Sequence, residues 1–281
     1  MKIEDFKDIL YAKEDATGIV TITLNTPGRK NAMSQLTFLE LWWAVDTMEK
    51  DDGAQVMIIT GAKDPQSTDP TAEAFSSGGY FNPTALNAVP PDVMAQIDLQ
   101  DIAQKRLTMK MWQCDKPIIA AINGLAIGAG ITMPICCADL IYMSEYAWFR
   151  MPFVSLAIVP EFANTYILPR LIGFQRAKEI MFFGEKVSAK EARDMGIANA
   201  VFPHGQLMEK ARAAALKLIP PQGAALAVRM TKRALHQPLV ESLSRALDME
   251  NEGLRKAVTT LDFFEGLAAR TQKRPPQFKG Q

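Results

Sequence analysis

The sequence predicts an α/β fold in which a parallel sheet with crossover helices is followed by a helical C-terminal region. Two strand-like segments, residues 18–24 and 56–60, flank a helical segment, and this order is typical of a parallel sheet. From Pro152 onwards the chain reads as a series of helices separated by prolines. A length of 281 residues with an apolar fraction of 48% indicates a globular chain of one or two domains.

The first half of the chain supplies the sheet. Residues 18–24 read GIVTITL, an alternation of apolar residues and threonine that predicts a strand. Ser34 has the character of a helix N-cap, and the apolar spacing after it predicts a helix to about Lys50. Residues 56–60, VMIIT, are a continuous apolar run of strand length. We expect the polar, proline-containing residues 61–74 to form a surface loop.

Later elements follow the same logic. The middle of the chain predicts a helix over residues 91–112, a buried strand after Lys116, a short buried helix over residues 131–137 and a strand over residues 139–143. Ser188 opens a capping-box pattern, which marks the start of another helix. The C-terminal region is expected to contain helices at residues 206–218, 222–235, 239–256 and 260–269.

The charge balance gives no indication of a nucleic-acid or membrane partner. Thirty-one basic and thirty-one acidic residues give a formal net charge of zero, so any basic patch must be local. Residues 118–138 resemble a membrane span in length, but glycines and a proline interrupt them. We interpret this segment as a buried strand, a tight glycine turn and a buried helix. With no secretory signal, transit peptide or peroxisomal address visible, we expect a cytoplasmic protein.

The rarity of histidine and cysteine limits the chemistry. Two histidines and three cysteines are too few for a convincing metal site or a Cys–His nucleophile, so we expect no bound metal. An odd number of cysteines also favours a reducing compartment. Acid–base catalysis, if there is any, should therefore depend on carboxylates.

Two glycine-containing turns present backbone N–H groups. They are residues 75–79, FSSGG, and residues 124–130, GLAIGAG. Glycine allows a ligand to approach the backbone closely, and a helix starting near Ala129 would direct its positive dipole end into the second turn. Two such donors meeting at one point would form an oxyanion hole for a polarised carbonyl. The alternative is that these glycines serve only to form the turns. The second turn lacks the third glycine of the dinucleotide fingerprint.

A third feature is Glu161 in the segment VPEF, residues 159–162. A carboxylate between apolar residues after a proline would lose contact with water, which raises its proton affinity towards that of a useful base. The alternative is a surface glutamate in a loop. The two turns and this carboxylate together are more specific than any one of them.

These motifs, in this order, resemble the crotonase superfamily, also called the enoyl-CoA hydratase/isomerase family. The resemblance covers nearly the whole chain and also rests on the segments KPIIAAING, CADLI and SAKEA. It implies a crotonase-like α/β spiroid of repeated ββα units that binds acyl-CoA thioesters. Residues 1–203 would form the core with the acyl-CoA site, and residues 204–281 a helical trimerisation region. The expected assembly is a homotrimer or a dimer of trimers, with no cofactor beyond the coenzyme A of the substrate.

The resemblance also implies roles for individual residues. The N–H groups of Ser77 and Ala129 would form the oxyanion hole for the thioester oxygen. The basic tail, residues 272–279, is similar to a C-terminal helix extension whose charges would meet CoA phosphates, and a solvated tail is the alternative. Contacts with substrate or CoA are expected at Arg29, Lys30, Asn31, Ala32, Ala74, Ser76, Gly78, Gly79, Tyr80, Gly128, Thr132 and Phe153.

Departures from the hydratase pattern favour one reaction. Hydratases of the family carry two glutamates that activate water, and the corresponding positions here are Thr132 and Phe153. Residues 152–166 instead resemble the peroxisomal type of Δ3,Δ2-enoyl-CoA isomerase, in which a lone glutamate at the place of Glu161 is the catalytic base. The serine pair that follows that glutamate is replaced here by Asn164 and Thr165.

The resemblance therefore implies isomerisation of a 3-enoyl-CoA to a 2-enoyl-CoA by a single-glutamate proton shuttle. Other reactions of the family remain alternatives, namely hydration, C–C cleavage and thioester hydrolysis. A non-catalytic acyl-CoA-binding or RNA-binding member is a further alternative. Aromatic residues near the base would line the acyl pocket or form plain core, and they are Trp148, Phe149, Phe162 and Tyr166.

Overall fold

The computed structural model describes residues 1–80, 82, 84, 86–87 and 89–281, and it confirms an α/β fold with a helical C-terminal region. Its strands are β1 (Ile9–Lys13), β2 (Ile19–Leu24), β3 (Val56–Gly61), β4 (Ala74–Ser76), β5 (Ile118–Ile122), β6 (Leu125–Ile127), β7 (Leu140–Ser144), β8 (Trp148–Arg150), β9 (Val187–Ser188) and β10 (Ala200–Phe202). Its α-helices are α1 (Gln35–Lys50), α2 (Pro91–Met94), α3 (Lys105–Gln113), α4 (Ala129–Cys137), α5 (Asn164–Ile172), α6 (Phe174–Phe183), α7 (Ala189–Asp194), α8 (Leu207–Leu218), α9 (Ala225–His236), α10 (Val240–Ala257) and α11 (Leu261–Gln272).

The larger sheet has the strand order β1-β2-β3-β5-β7-β10. Its strands pair in parallel except for β1, which runs antiparallel to β2 at one edge. Helix α8 covers one face, and the main core with α1, α3 and α4 covers the other. Burial on both faces explains why the segments of β3 and β5 are continuous apolar runs. The edge strand β1 was not predicted, because Ile9 at its start is its one fully buried residue and the rest of the strand shows no apolar pattern.

A second sheet of order β4-β6-β8-β9 lies beside the first and was not predicted. The prediction of a tight glycine turn over residues 124–130 was therefore incomplete, because the short strand β6 lies within this segment. The paired strands of this second sheet are two or three residues long, too short to show a hydrophobic period in the sequence. Gly124 permits the close pairing of β4 and β6, because a Cβ atom there would lie 2.0 Å from the carbonyl oxygen of Glu73.

The helix predicted over residues 91–112 is instead two helices, α2 and α3, separated by an irregular segment. The break is stabilised by Asp101, whose carboxylate accepts hydrogen bonds from the amides of Lys105 (2.7 Å) and Arg106 (2.8 Å) at the start of α3. Gln104 precedes α3 in the left-handed region, at φ 59°. Apolar spacing alone does not reveal such a break, because both helices contribute to a similar face.

The C-terminal helices agree with the prediction, but the tail does not. Helix α11 ends at Gln272, and residues 273–281 are non-helical rather than a helix extension. The tail folds back on α11, where Arg274 forms two hydrogen bonds to Glu265 of 2.5 Å and 2.8 Å. Two prolines, Pro275 and Pro276, prevent the helix from continuing.

Residues 118–138, which resemble a membrane span in length, form β5, β6 and α4. The predicted buried strand and buried helix are confirmed, and β6 between them was not predicted. Within the described ranges, no helix combines the length and apolar character needed to cross a membrane.

Candidate active site

A cavity of about 120 Å³ lies between the second sheet and the C-terminal helices. Segment 77–80 after β4 and the first turn of α4 form one side, and the segment from Pro152 to Glu161 forms the next. Apolar side chains supply most of the remaining wall, and they are Met33, Phe38, Ile102, Ile127, Leu156, Ile158, Leu254 and Val258. Such a concave, largely apolar site with few polar groups is typical of small-molecule binding.

The predicted donor Ser77 is not available to a ligand. Its amide N–H donates to the carbonyl oxygen of Lys30 at 2.9 Å, so the assignment of this N–H to the oxyanion hole is corrected. Its hydroxyl also bonds internally, to the carbonyl oxygen of Arg29 at 3.2 Å. The sequence could not reveal this, because the acceptor belongs to a segment 47 residues earlier that passes beside β4.

The free donor in this turn belongs to Gly79. Met33 forms a parallel bridge with Gly79, in which the Met33 amide donates to the Gly78 carbonyl and the Tyr80 amide donates to the Met33 carbonyl, each at 2.8 Å. In this geometry the N–H of Gly79 points away from Met33. Gly79 lines the cavity, and within the described chain its N–H has no acceptor.

Ala129 provides the second free donor. It is the first residue of α4, and the N–H at this position has no partner within a helix. The backbone at Gly78 approaches it closely, since a Cβ atom built on Gly78 would lie 3.6 Å from the Ala129 nitrogen. Both segments line the cavity, so the two N–H groups of Gly79 and Ala129 form a pair of donors on one wall.

Glu161 lies in the wall of the same cavity, at the end of the irregular segment before α5. The two residues after it, Phe162 and Ala163, adopt left-handed conformations at φ 56° and 52°, which reverses the chain direction. Burial and, to a smaller extent, the negative charge of Glu250 raise the pKa of Glu161 to about 8. The carboxyl group therefore has the proton affinity of a general base that works near neutral pH.

Glu250 of α10 stabilises the turn behind Glu161. Its carboxylate accepts hydrogen bonds from the Ala163 amide (2.7 Å), the Thr165 amide (3.0 Å) and the Thr165 hydroxyl (2.6 Å). The residue is 3% exposed, and burial raises its pKa to about 7. The sequence does not reveal this role of Glu250, because 85 residues separate it from Thr165 and a glutamate in an amphipathic helix carries no recognisable signal.

The residue after it, Asn251, positions the opposite wall. Its side-chain oxygen accepts from the Ala103 amide at 2.7 Å, and its side-chain nitrogen donates to Asp101 at 2.8 Å. These bonds order the segment between α2 and α3 that contributes Ile102 and Gln104 to the cavity. One turn of α10 therefore organises two walls of the site.

Asn164 and Thr165, which stand in place of the serine pair, both make hydrogen bonds that hold the turn of Glu161. Asn164 donates from its side chain to the carbonyl oxygen of Thr132 in α4 at 2.8 Å, and Thr165 bonds to Glu250. The turn carrying Glu161 is therefore connected both to the helix that presents Ala129 and to α10.

The twelve residues predicted to contact substrate or CoA divide into five that line the cavity and seven that do not. Gly78, Gly79, Tyr80, Gly128 and Phe153 line the cavity together with Ser77 and Ala129. Lys30 is exposed, whereas Ala32 and Ala74 are buried. The remaining four use their polar side chains within the fold, and they are Arg29, Asn31, Ser76 and Thr132.

Arg29 shows how this second group is used. Its guanidinium bonds to Asp8 at 2.7 Å and stacks over the Tyr80 ring, 4.5 Å from the centroid. Asn31 donates to the carbonyl oxygens of Ala62 (2.9 Å) and Ala74 (2.8 Å), which attaches the loop to the start of β4. These contacts shape the rim of the cavity.

The four aromatic residues considered for the acyl pocket lie outside the cavity lining that the described residues form. Phe149 and Phe162 are fully buried, and the Phe162 ring packs 5.8 Å from that of Phe38. Phe149 and Phe162 are therefore core residues, and Phe38 is an aromatic residue that does line the cavity.

A family model described as enoyl-CoA hydratase/isomerase matches residues 14–281. The chain is 30% identical over 263 residues to a 2,3-dehydroadipyl-CoA hydratase of Escherichia coli K12, covering 94% of this chain and 96% of that protein. It is 28% identical over 264 residues to a 1,2-epoxyphenylacetyl-CoA isomerase of the same organism, with 94% and 96% covered. A crystal structure of an enoyl-CoA hydratase/isomerase from Pseudoalteromonas atlantica T6c superposes with a TM-score of 0.82 at 26% identity, covering 97% of this chain and 100% of that one.

Proposed function

The chain belongs to the enoyl-CoA hydratase/isomerase family, the crotonase superfamily, and from this premise we propose that it moves the double bond of a 3-enoyl-CoA to the conjugated 2-position. The observation that carries the proposal is a single carboxylate, that of Glu161, in the same cavity as a pair of free backbone donors. Among the described residues that line the cavity, Glu161 is the one acidic side chain.

The proposed reaction begins with proton removal from C2 of the substrate. The thioester carbonyl makes this proton acidic, and the carboxylate of Glu161 accepts it. The negative charge that develops on the thioester oxygen is stabilised by the N–H groups of Gly79 and Ala129. Because Ala129 begins α4, the positive end of the helix dipole adds to this stabilisation.

The same carboxyl group then returns the proton to C4. A shuttle of this kind leaves the enzyme unchanged, consumes no water and needs no second catalytic group. The raised pKa of Glu161 suits both half-reactions, since a group that holds its proton more firmly than an ordinary carboxyl is a stronger base when ionised.

The positions that hold water-activating glutamates in hydratases support this choice. Thr132 is fully buried, and its hydroxyl donates to the carbonyl oxygen of Gly128 at 3.2 Å. Phe153 presents an apolar ring to the cavity. Neither side chain is suited to orient a nucleophilic water opposite Glu161.

Hydration of a 2-enoyl-CoA is the second candidate function. The observation in its favour is that relatives of similar coverage are named hydratases, among them the 2,3-dehydroadipyl-CoA hydratase and a crotonyl-CoA hydratase of Syntrophomonas wolfei, which is 30% identical over 275 residues. In this alternative Glu161 would activate water alone.

One experiment separates the two functions. The protein is incubated with matched 3-enoyl-CoA and 2-enoyl-CoA substrates, while conjugated thioester absorbance and 3-hydroxyacyl-CoA are followed. Isomerisation predicts that conjugation appears from the 3-enoyl-CoA without accumulation of hydroxyacyl product. Formation of 3-hydroxyacyl-CoA at a rate similar to isomerisation would overturn the proposal in favour of hydration.

A further inference from the structure

Arg270 of α11 lines the same cavity as Glu161. The residue is exposed, and its guanidinium makes no hydrogen bond and no ion pair within the described part of the chain. Arginine stays charged in proteins and carries five donors, so an exposed and unpaired one that lines a largely apolar cavity is available to bind an anionic ligand.

The acidic residues of α11 do not neutralise Arg270. They are Asp262 and Glu265, and the C-terminal tail occupies both. Glu265 binds Arg274 and accepts from the Gln277 amide at 2.7 Å, and these contacts lower its pKa to about 2. Asp262 accepts from the amides of Lys279 (2.7 Å) and Gly280 (2.8 Å). The positive charge of Arg270 therefore remains uncompensated on its own helix.

Glu161 does not serve as the partner either. No ion pair joins Arg270 and Glu161, and the pKa of Glu161 is raised, whereas a nearby guanidinium would lower it. The cavity thus holds two separate charged groups. Glu161 faces the reacting carbons in the proposed mechanism, and Arg270 is left for another part of the bound molecule.

The surroundings of Arg270 favour an anion over a neutral chain end. Leu254, Val258 and Leu156 line the same cavity and supply no acceptor. Its polar wall residues away from the oxyanion donors are Gln35 and Gln104, whose side chains bond to each other at 3.4 Å. An apolar chain end placed against the guanidinium would displace water from it without replacing the lost hydrogen bonds, whereas an anion would replace them.

We propose that the preferred acyl-CoA carries a carboxylate at the far end of its acyl chain, and that Arg270 is the specificity-determining residue that binds it. The inference rests on the proposed function of the cavity as the acyl-CoA site. The planar guanidinium matches a carboxylate with two parallel hydrogen bonds, which a terminal methyl group cannot form. The phosphates of CoA offer a similar anion, but the pantetheine arm separates them from the thioester and hence from the acyl cavity.

Binding measurements test this inference without requiring turnover. Isothermal titration calorimetry compares adipoyl-CoA with hexanoyl-CoA, which have six acyl carbons and differ in the terminal carboxylate. Both are saturated, so the result does not depend on isomerisation or hydration. We expect the wild-type protein to bind adipoyl-CoA about tenfold more tightly, in the range of one charge-assisted hydrogen-bonded pair.

Variants assign the preference to Arg270. Arg270→Leu should abolish the preference by weakening adipoyl-CoA alone, and Arg270→Lys should retain part of it. The matched control is Arg245→Leu, which removes an exposed arginine of α10 that pairs with Glu241. This control should bind as the wild type does.

Three results would overturn the inference. Equal binding of the two ligands by the wild type would exclude a carboxylate preference, and this comparison needs no variant to fold. Equal weakening of both ligands in Arg270→Leu would assign the arginine to a CoA phosphate. Binding of neither ligand would reject the acyl-CoA site itself, whereas failed isomerisation with intact carboxylate preference would reject the proposed reaction alone.

Discussion

Glu250 both supports the turn that carries Glu161 and opposes the ionisation of Glu161. Its carboxylate accepts hydrogen bonds from the amides two and four residues after Glu161, those of Ala163 and Thr165. Its negative charge adds to burial in raising the pKa of Glu161 to about 8. A residue of the C-terminal region thus helps to hold the position of Glu161 and adds to the effect of burial on its proton affinity.

Replacing Glu161 with glutamine should remove the base but preserve the shape of the site. We expect kcat to fall by about 10²- to 10⁴-fold, the usual contribution of a positioned proton-transfer group. Steady-state isomerisation of a 3-enoyl-CoA measures this. Glu252→Gln, at an exposed position of α10, is the matched control. Full turnover by Glu161→Gln would show that another group accepts the proton.

The same variant should be more stable than the wild type at alkaline pH. The folded pKa of Glu161 is about 8 against an ordinary value of 4.5, so ionisation costs folding free energy increasingly as pH rises between these values. Glutamine cannot ionise and avoids this cost. Thermal unfolding should show a rise in Tm for Glu161→Gln at about pH 9 and little change at about pH 4. An equal change at both pH values would contradict the raised pKa.

Glu250→Gln should shift the pH profile of catalysis. Removing the negative charge lowers the pKa of Glu161, so the acidic limb of kcat/KM should move to lower pH. An amide accepts fewer hydrogen bonds than a carboxylate, and the lost acceptor should lower the free energy of unfolding by about 1–3 kcal/mol. A loss of stability with an unchanged pH profile of kcat/KM would show that the role of Glu250 is purely structural. Glu252→Gln again provides the control.

Replacing Ala129 with proline should remove a proposed oxyanion donor without breaking α4. Ala129 is the first residue of α4, where proline is accepted because its missing N–H has no helical partner. We expect Ala129→Pro to lower kcat by about 10²- to 10³-fold. Ala129→Gly keeps the N–H and should retain much more activity. Circular dichroism checks that both variants fold, and comparable activity of the two would argue against this donor.

Gly124→Ala should destabilise the second sheet. The added Cβ would lie 2.0 Å from the Glu73 carbonyl oxygen and 2.8 Å from the Ala74 nitrogen, both rigid backbone atoms. Overpacking of this kind costs about 1–3 kcal/mol or more. Urea unfolding provides the measurement. Gly205→Ala, where a Cβ meets no atom within 4 Å, is the matched control and should unfold like the wild type.

The homotrimer or dimer of trimers, the division at residues 203 and 204, and the cytoplasmic location stay predictions. Size-exclusion chromatography with light scattering measures the first directly. A monomer at micromolar concentration would contradict it.

Local patterns were sufficient for the four central strands of the larger sheet, β2, β3, β5 and β7, and for most helices. Continuous apolar runs identify β3 and β5, because both faces of these strands are buried. The capping residues Ser34 and Ser188 mark helix starts, because the orphan amides of a first turn need a nearby acceptor. Glu161 became a candidate because apolar residues and a proline lie beside it in the chain, and the resemblance to the family implied its role as the base.

Tertiary structure alone decided which groups meet. Gly79 rather than Ser77 offers a free N–H, because a distant loop supplies the carbonyl oxygen of Lys30 to Ser77. Glu250 and Arg270 reach the site from α10 and α11, about a hundred residues after Glu161 in the chain. Periodicity, capping and the apolar surroundings of Glu161 in the chain are properties of neighbouring residues, and they indicated the class of fold and a candidate base. Hydrogen-bond partners and local electric fields depend on which segments the fold brings together, and these determine what that base can do.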